Sequence, residues 1–230
     1  MFMVFRRRVL IMVLAGVTVS AMLFGSFLRF STQSVELNSK LIVVDAGHGG
    51  MDGGGVGVSQ VLEKDLNLSV AKKLESALKE NGYQVIMTRT EDVSLHDDDK
   101  TTVRQQKNSD LKNRAELANR QNAGLFISIH MNKFESSDVK GAQVFYKSTD
   151  TLGAEYTKNI MTELKKLDKQ NHRVEKPLPN PNLTFKKLNV PGVLVECGFL
   201  SNQEEEKKLQ DDSYQTALVK AIVAGMQSVK

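Results

Sequence analysis

Cysteine is almost absent from this 230-residue chain, and a lone Cys197 excludes an intramolecular disulfide. Proline is nearly as scarce. Pro177, Pro179, Pro181 and Pro191 fall within fifteen residues, so the rest of the chain is free of that helix and strand breaker. No internal repeat is present, which leaves a solenoid or a repeat array out of account. An excess of one charge is missing from most of the chain as well. The formal charge is +4, but residues 1–30 hold Arg6, Arg7, Arg8 and Arg29 with no acid, and the other 200 residues balance 27 basic against 27 acidic side chains. A phosphate-binding face needs a basic excess on the folded body, so nucleic acid is excluded as the main partner. With 40% hydrophobic and 25% charged residues, the chain is neither a disordered tail nor a polytopic membrane protein.

A long apolar run occurs once. Val9 to Leu28 is twenty residues without a formal charge, behind Arg6-Arg7-Arg8. As a helix it would span about 30 Å, the thickness of a bilayer core. Three arginines before the run and only Arg29 just after it set the N-terminus inside and the bulk of the chain outside. Gly25-Ser26-Phe27 makes a poor cleavage site, so residues 1–29 read as an uncleaved signal-anchor, and 30–40 as a polar linker. The expected location is the outer face of a membrane, or the exterior if the segment is removed.

Beyond the linker, apolar runs alternate with helical periodicity. Leu41–Val44 is a continuous apolar stretch, as in a strand covered on both faces. From Glu63 the residues Leu66, Val70, Leu74 and Leu78 recur four apart, and Asn81-Gly82 ends that helix. Strands are expected at Tyr83–Thr88, Leu125–Ile129, Gln143–Lys147 and Val193–Val195. Helices are expected at Leu111–Gln121, from Leu152 to about Lys169, and from Tyr214 onward. The polar stretch His96–Asp110 reads as an exposed loop, and 171–191 as a long irregular connection. This alternation predicts an α/β domain over 41–230.

Chemistry-bearing residues sit where the strands end. Asp45 to Gly57 contains seven of the sixteen glycines around one imidazole, His48. The order of glycines fits neither G-x-G-x-x-G nor the phosphate-binding G-x-x-x-x-G-K-[ST] loop. His130 directly follows the strand ending at Ile129, and Glu196 follows Val195. In parallel neighbouring strands these three groups converge on the crevice at the carboxyl ends. Glu63, which opens the first helix, is a fourth candidate, although a carboxylate there also suits the helix dipole. Two imidazoles and a carboxylate form a His₂Glu set for zinc, with a second carboxylate free to move a proton. There is no H-E-x-x-H helix and no G-x-S-x-G elbow, while His96 and His172 lie in presumptive loops.

The stretches Val43-Val44-Asp45-Ala46-Gly47-His48-Gly49-Gly50, Glu63-Lys64-Asp65-Leu66-Asn67-Leu68, Ser128-Ile129-His130-Met131-Asn132 and Val195-Glu196-Cys197-Gly198-Phe199 resemble, in order, the motifs of the zinc-dependent N-acetylmuramoyl-L-alanine amidases, the amidase-3 family. Thr88-Arg89 and Leu111-x-x-Arg114 also fit, and the resemblance covers about residues 41–228. It implies a twisted, mostly parallel sheet between two helical layers in a three-layer αβα domain. It also implies cleavage of the amide between the lactyl group of N-acetylmuramic acid and L-alanine in peptidoglycan. Carried over by motif, His48, Glu63 and His130 are the ligands of one zinc ion and Glu196 is the catalytic base. Asn132 is assigned to substrate contact, and Arg89 to structure.

Within the family, an apolar N-terminus ahead of a bare catalytic domain resembles the sporulation and germination amidases of the spore cortex. In that branch the reaction precedes formation of muramic-δ-lactam. The resemblance leaves room for an accessory envelope protein that localises or activates the enzyme, in the cell envelope or the space between forespore membranes. Three other readings stand beside it: a general vegetative wall amidase, a zinc peptidase of carboxypeptidase type, and a non-catalytic wall-binding regulator on the same scaffold.

Overall fold

The computed structural model describes residues 37–229. Its first half runs β1 (Asn38–Ala46), α1 (Glu63–Glu80), β2 (Gln84–Met87), α2 (Val103–Arg120) and β3 (Ala123–Asn132). Its second half runs β4 (Gln143–Tyr146), α3 (Thr151–Leu167), β5 (Lys176–Pro177), α4 (Leu183–Lys187), β6 (Gly192–Phe199), α5 (Gln203–Gln210) and α6 (Asp212–Gln227). Six strands form one sheet in the order β2-β1-β3-β6-β4-β5. The pairs β1/β2, β1/β3 and β3/β6 are parallel, β4 runs antiparallel to β6, and β5 runs parallel to β4. The sheet is thus mixed, with its parallel part at the centre.

Both faces of the central strands are covered, which is why β1, β3 and β6 read as unbroken apolar runs. On one face Ile42, Val44, Ile127, Ile129 and Val195 pack with Leu74 and Leu78 of α1, Ile160 of α3 and Leu218 of α6. On the other, Val43, Phe126 and Leu194 pack with Ala115 and Ala118 of α2 and Phe185 of α4. Leu74 and Leu78 are fully buried, each contributing about 1.5–3 kcal/mol on transfer from water. The fourfold spacing on α1 therefore became a core stripe. Its end also follows the sequence: Asn81 caps the helix and Gly82 takes φ +82°, a conformation costly for a residue with a Cβ.

Several elements depart from the sequence reading. Strand β1 starts at Asn38 rather than Leu41, taking in residues first read as linker. Helix α2 starts at Val103, eight residues before the expected Leu111, so half of the supposed loop His96–Asp110 is helical. The cause is a capping box, in which the Thr102 side chain accepts from Gln105 N and the Gln105 side chain accepts from Thr102 N. The polar first turns of α2 hid it from a periodicity test. Helix α5 is likewise polar, and Asn202 starts it by accepting from the backbone of Glu204 and Glu205. The irregular stretch 171–191 contains β5 and the short α4, which Asn182 caps. Among the described residues no helix is long and apolar enough to cross a membrane. The run Val9–Leu28, read as a signal-anchor, lies outside them.

Candidate active site

The parallel core of the sheet delivers the three strand-end groups to one place. His48 follows β1, His130 lies near the end of β3, and Glu196 sits on β6 directly opposite His130 in register. The loop between β1 and α1 then brings Glu63, the first residue of α1, against both imidazoles. His48 Nε2 is 3.1 Å from Glu63 Oε2, and His130 Nδ1 is 2.9 Å from Glu63 Oε1. The two rings stand edge to face with centroids 5.0 Å apart. One donor atom from each of His48, Glu63 and His130 falls within 4.8 Å of the others, a cluster that could hold a metal ion.

Glycine makes this approach possible. A Cβ on Gly47 would lie 2.2 Å from His130 Nε2, and one on Gly54 would lie 2.5 Å from Glu63 Oε2. Gly54 has φ +69°, and His48 itself is held at φ +60°, an uncommon conformation for a residue with a side chain. Two buried arginines hold the loop in that shape. Arg89 donates to the carbonyls of Ala46, Gly47 and Lys64, the structural role read for it from sequence. Arg114 donates to the carbonyls of Ala46 and His48 and to Asp45 Oδ1, the last at 2.7 Å.

Electrostatics follow from burial and contact. Burial alone would raise the Glu63 carboxyl, but hydrogen bonds and charge from His130 and His48 hold it well below the usual carboxylate range. Burial works against a charged His48, yet the carboxylates of Asp52 and Glu63 push its imidazole up to about 9. At Glu196 the nearby charges of His130 and His48 lower the pKa but do not outweigh burial. Burial pushes its carboxyl up to about 7, and its Oε2 is shielded from solvent without a hydrogen bond. A carboxyl poised there can exchange a proton near neutral pH.

The donor set fits a metal ion. Nitrogen, nitrogen and carboxylate oxygen are the ligand types of a catalytic zinc site. Glu63 Oε1 is further steadied by Met131 N at 3.2 Å and Asn67 Nδ2 at 3.3 Å, while Gly55 N donates to Oε2 at 2.8 Å. A cleft of about 210 Å³ opens over His48, His130, Asp52 and Lys107 and reaches Asn182 and Phe185. Asn132 closes β3 two residues beyond His130, its carbonyl accepting from Leu200 N. His172 is exposed and His96 half-buried against Ser94 Oγ, and neither belongs to the cluster.

The match to known proteins agrees with this geometry. The family model described as N-acetylmuramoyl-L-alanine amidase matches residues 42–228. The chain belongs to that amidase family. It is 37% identical over 193 residues to the germination-specific N-acetylmuramoyl-L-alanine amidase of Bacillus subtilis, covering 84% of this chain and 81% of that one. The CwlD amidase of Clostridioides difficile, solved in complex with the GerS lipoprotein, superposes with a TM-score of 0.79 at 44% identity, over 83% of this chain and 98% of that one. The catalytic domain of CwlV, an N-acetylmuramoyl-L-alanine amidase of Bacillus (Paenibacillus) polymyxa, gives 0.70 at 30% identity, over 83% and 99%. The protein is thus an enzyme, a peptidoglycan amidase with the mixed αβα architecture of its relatives.

Sequence motifs exposed the groups at the centre of this amidase but passed over the residues that hold them. Asp45, Asp52, Asn67 and Arg114 lie inside or beside the same motifs. Their burial or their pairing, rather than their type, marks them out. Asp45 is the clearest: a fully enclosed carboxylate that accepts from Thr88, Ser128 and Arg114.

Proposed function

We propose that this amidase uses one zinc ion held by His48, Glu63 and His130, with Glu196 as general base, to free L-alanine-linked stem peptides from muramic acid in spore-cortex peptidoglycan. The observation that carries the reading is the meeting of a His-Glu-His cluster with a lone carboxyl, Glu196 Oε2, that nothing else engages. Zinc bound there supplies Lewis acidity, which eases ionisation of water and polarises an amide carbonyl.

The protein's own groups do the rest. Glu196 accepts the proton of the attacking water at Oε2 and returns it to the amine of the departing L-alanine. Its raised pKa suits both directions of that transfer. Glu63 cannot share this duty, because two imidazoles hold its carboxylate ionised. Asn132, two residues beyond His130 on β3, is assigned to substrate contact in this reading. Arg89 and Arg114 keep the loop carrying His48 rigid, so the ligands need little reorganisation.

The germination-specific name of the Bacillus subtilis relative supports the cortex assignment. The place of the reaction ahead of muramic-δ-lactam formation rests on the resemblance of the sequence to that branch of the family. The complex of the CwlD amidase with a lipoprotein supports an accessory envelope protein for this chain too. Attachment through residues 1–29, with the catalytic domain outside the cytoplasm, follows from the charge pattern of that segment. The test is to strip metal from the full-length protein in detergent and assay it on cortex and vegetative peptidoglycan before and after adding zinc. Activity that returns with one equivalent of zinc, and is greater on cortex, bears the reading out. Undiminished activity without metal would overturn the zinc assignment, and a preference for vegetative wall would make this a general wall amidase.

A further inference from the structure

One carboxylate beside the cluster has no part in the scheme above. Asp52 Oδ2 lies 3.1 Å from His48 Nδ1, on the side of the ring away from Glu63, which faces Nε2. Asp52 is fixed in that place from several directions. Its backbone pairs with Gly49 both ways, Gly49 N to Asp52 O at 3.0 Å and Asp52 N to Gly49 O at 3.2 Å, which closes a tight turn directly after His48. Gly54 N donates to its Oδ1 at 3.3 Å, and Lys107 Nζ on α2 stands 3.2 Å from Oδ2. The ring it faces is buried at Nδ1 and has no aligned hydrogen bond there, so a proton on Nδ1 has one carboxylate oxygen within reach.

An imidazole presents its lone pair from only one nitrogen at a time, and the partner of the other nitrogen decides which. We infer that Asp52 is a positioning residue: it holds a proton on His48 Nδ1, so that His48 offers Nε2 as its metal ligand and keeps its ring aimed at Glu63. The arrangement is a carboxylate–histidine–metal relay, in which the outer carboxylate fixes tautomer and orientation and typically contributes about 10–100-fold in metal affinity. Lys107 does not drive this effect. More than half exposed, it balances the charge of Asp52 from the solvent side. An exposed pair of that kind changes an equilibrium by about fivefold at most.

This inference rests on the reading of His48 as a metal ligand, and the experiment separates the two. Zinc affinity of the full-length protein in detergent is measured by competition with a fluorescent chelator for wild type, Asp52→Ala, Asp52→Asn and Lys107→Ala. The same proteins, ¹⁵N-labelled at histidine and loaded with ¹¹³Cd, report which ring nitrogen of His48 is bound. The expected result is a zinc affinity about 10–100-fold lower in Asp52→Ala, a smaller loss in Asp52→Asn, and a change within about fivefold in Lys107→Ala. Cadmium coupling should appear at His48 Nε2 in wild type and be divided between both nitrogens in Asp52→Ala. Unchanged affinity in Asp52→Ala and Asp52→Asn, coupling at Nδ1 in wild type, or an equal loss in Lys107→Ala and Asp52→Ala would overturn the inference, the last by making Asp52 a loop anchor. A wild-type protein that binds no zinc would defeat the ligand reading itself. If Asp52→Ala unfolds by circular dichroism, Asp52→Asn and the wild-type coupling decide alone.

Discussion

Glu196 and His130 face each other as register partners on β6 and β3, two adjacent parallel strands at the centre of the sheet. The pairing fixes the distance between the lone carboxyl and the His-Glu-His cluster through backbone hydrogen bonds, before any side chain is placed. It also separates two carboxylates chemically. Glu63 is clasped by imidazoles and held ionised, whereas Glu196, whose Oε2 is shielded from solvent and without a partner, is pushed up to about 7. One acid is thereby suited to binding a cation and the other to moving a proton.

Replacing Glu196 by Gln removes the proposed proton acceptor and leaves the His-Glu-His cluster intact. Turnover should fall by about 10²–10⁴, the usual contribution of a placed general base. Metal analysis of the same sample should still find one zinc per chain. Loss of the metal would make Glu196 a ligand instead.

His130→Ala should lose both zinc and activity, because it deletes one of three donor atoms. His172→Ala should keep both, since its exposed side chain lies outside the cluster. Zinc content and amidase rate of the two variants, measured side by side, check the contrast.

Gly47→Ala inserts a methyl group where a Cβ would lie 2.2 Å from His130 Nε2. The imidazole must move, so activity should drop sharply while the protein stays folded. Gly82→Ala meets nothing within 4 Å and strains only a helix cap at φ +82°. It should lower stability by about 1 kcal/mol and leave turnover alone. Thermal melts and rates of the pair distinguish the two mechanisms.

The buried ion pair of Asp45 and Arg114 should make stability depend on pH. Burial alone would raise the Asp45 carboxyl, but Arg114 and the hydroxyls of Ser128 and Thr88 outweigh it, and the folded pKa lies below the unfolded value of 3.8. A depressed folded pKa stabilises the protein above the unfolded value, and that stability drains away as pH falls through the folded one. Denaturant midpoints measured downward from pH 5 should therefore fall, and less steeply in Asp45→Asn. At pH 7 that variant should be less stable by about 3 kcal/mol, the lower end for breaking a buried pair, because Arg114 keeps Asp110. An unchanged midpoint at pH 7 would show that the pair contributes nothing.

Much of this was legible in the sequence, and the misses have physical causes. Leu66, Val70, Leu74 and Leu78 announced α1 because a helix against a sheet needs an apolar stripe, and the ends of β1, β3 and β6 marked the site because parallel strands deliver their last residues to one edge. The first turns of α2 and the whole of α5 escaped because caps at Thr102 and Asn202 start them, not apolar periodicity. The strand at Gln143–Tyr146 was expected, but its antiparallel direction escaped because alternation along one strand does not show the direction of its neighbour. The placements of Asp45, Asp52 and Asn67 were hidden for another reason: each is defined by a partner far off in the chain or by a turn that folds it back onto His48. Family motifs marked where they sit, and the packing of the chain shows what they hold.

The measurement that bears most directly on the account is mass spectrometry of peptidoglycan digested by the full-length protein with zinc. In the proposed scheme Glu196 delivers water to a carbonyl and an amide is cleaved; the neighbouring carboxylates Glu63 and Asp52 are both engaged by the imidazoles, so no free pair flanks a glycosidic bond. The products should be long glycan strands bearing unsubstituted muramic acid, and peptides with a free N-terminal L-alanine. New reducing sugar ends, or free N-termini only within the stem peptide, would contradict the account.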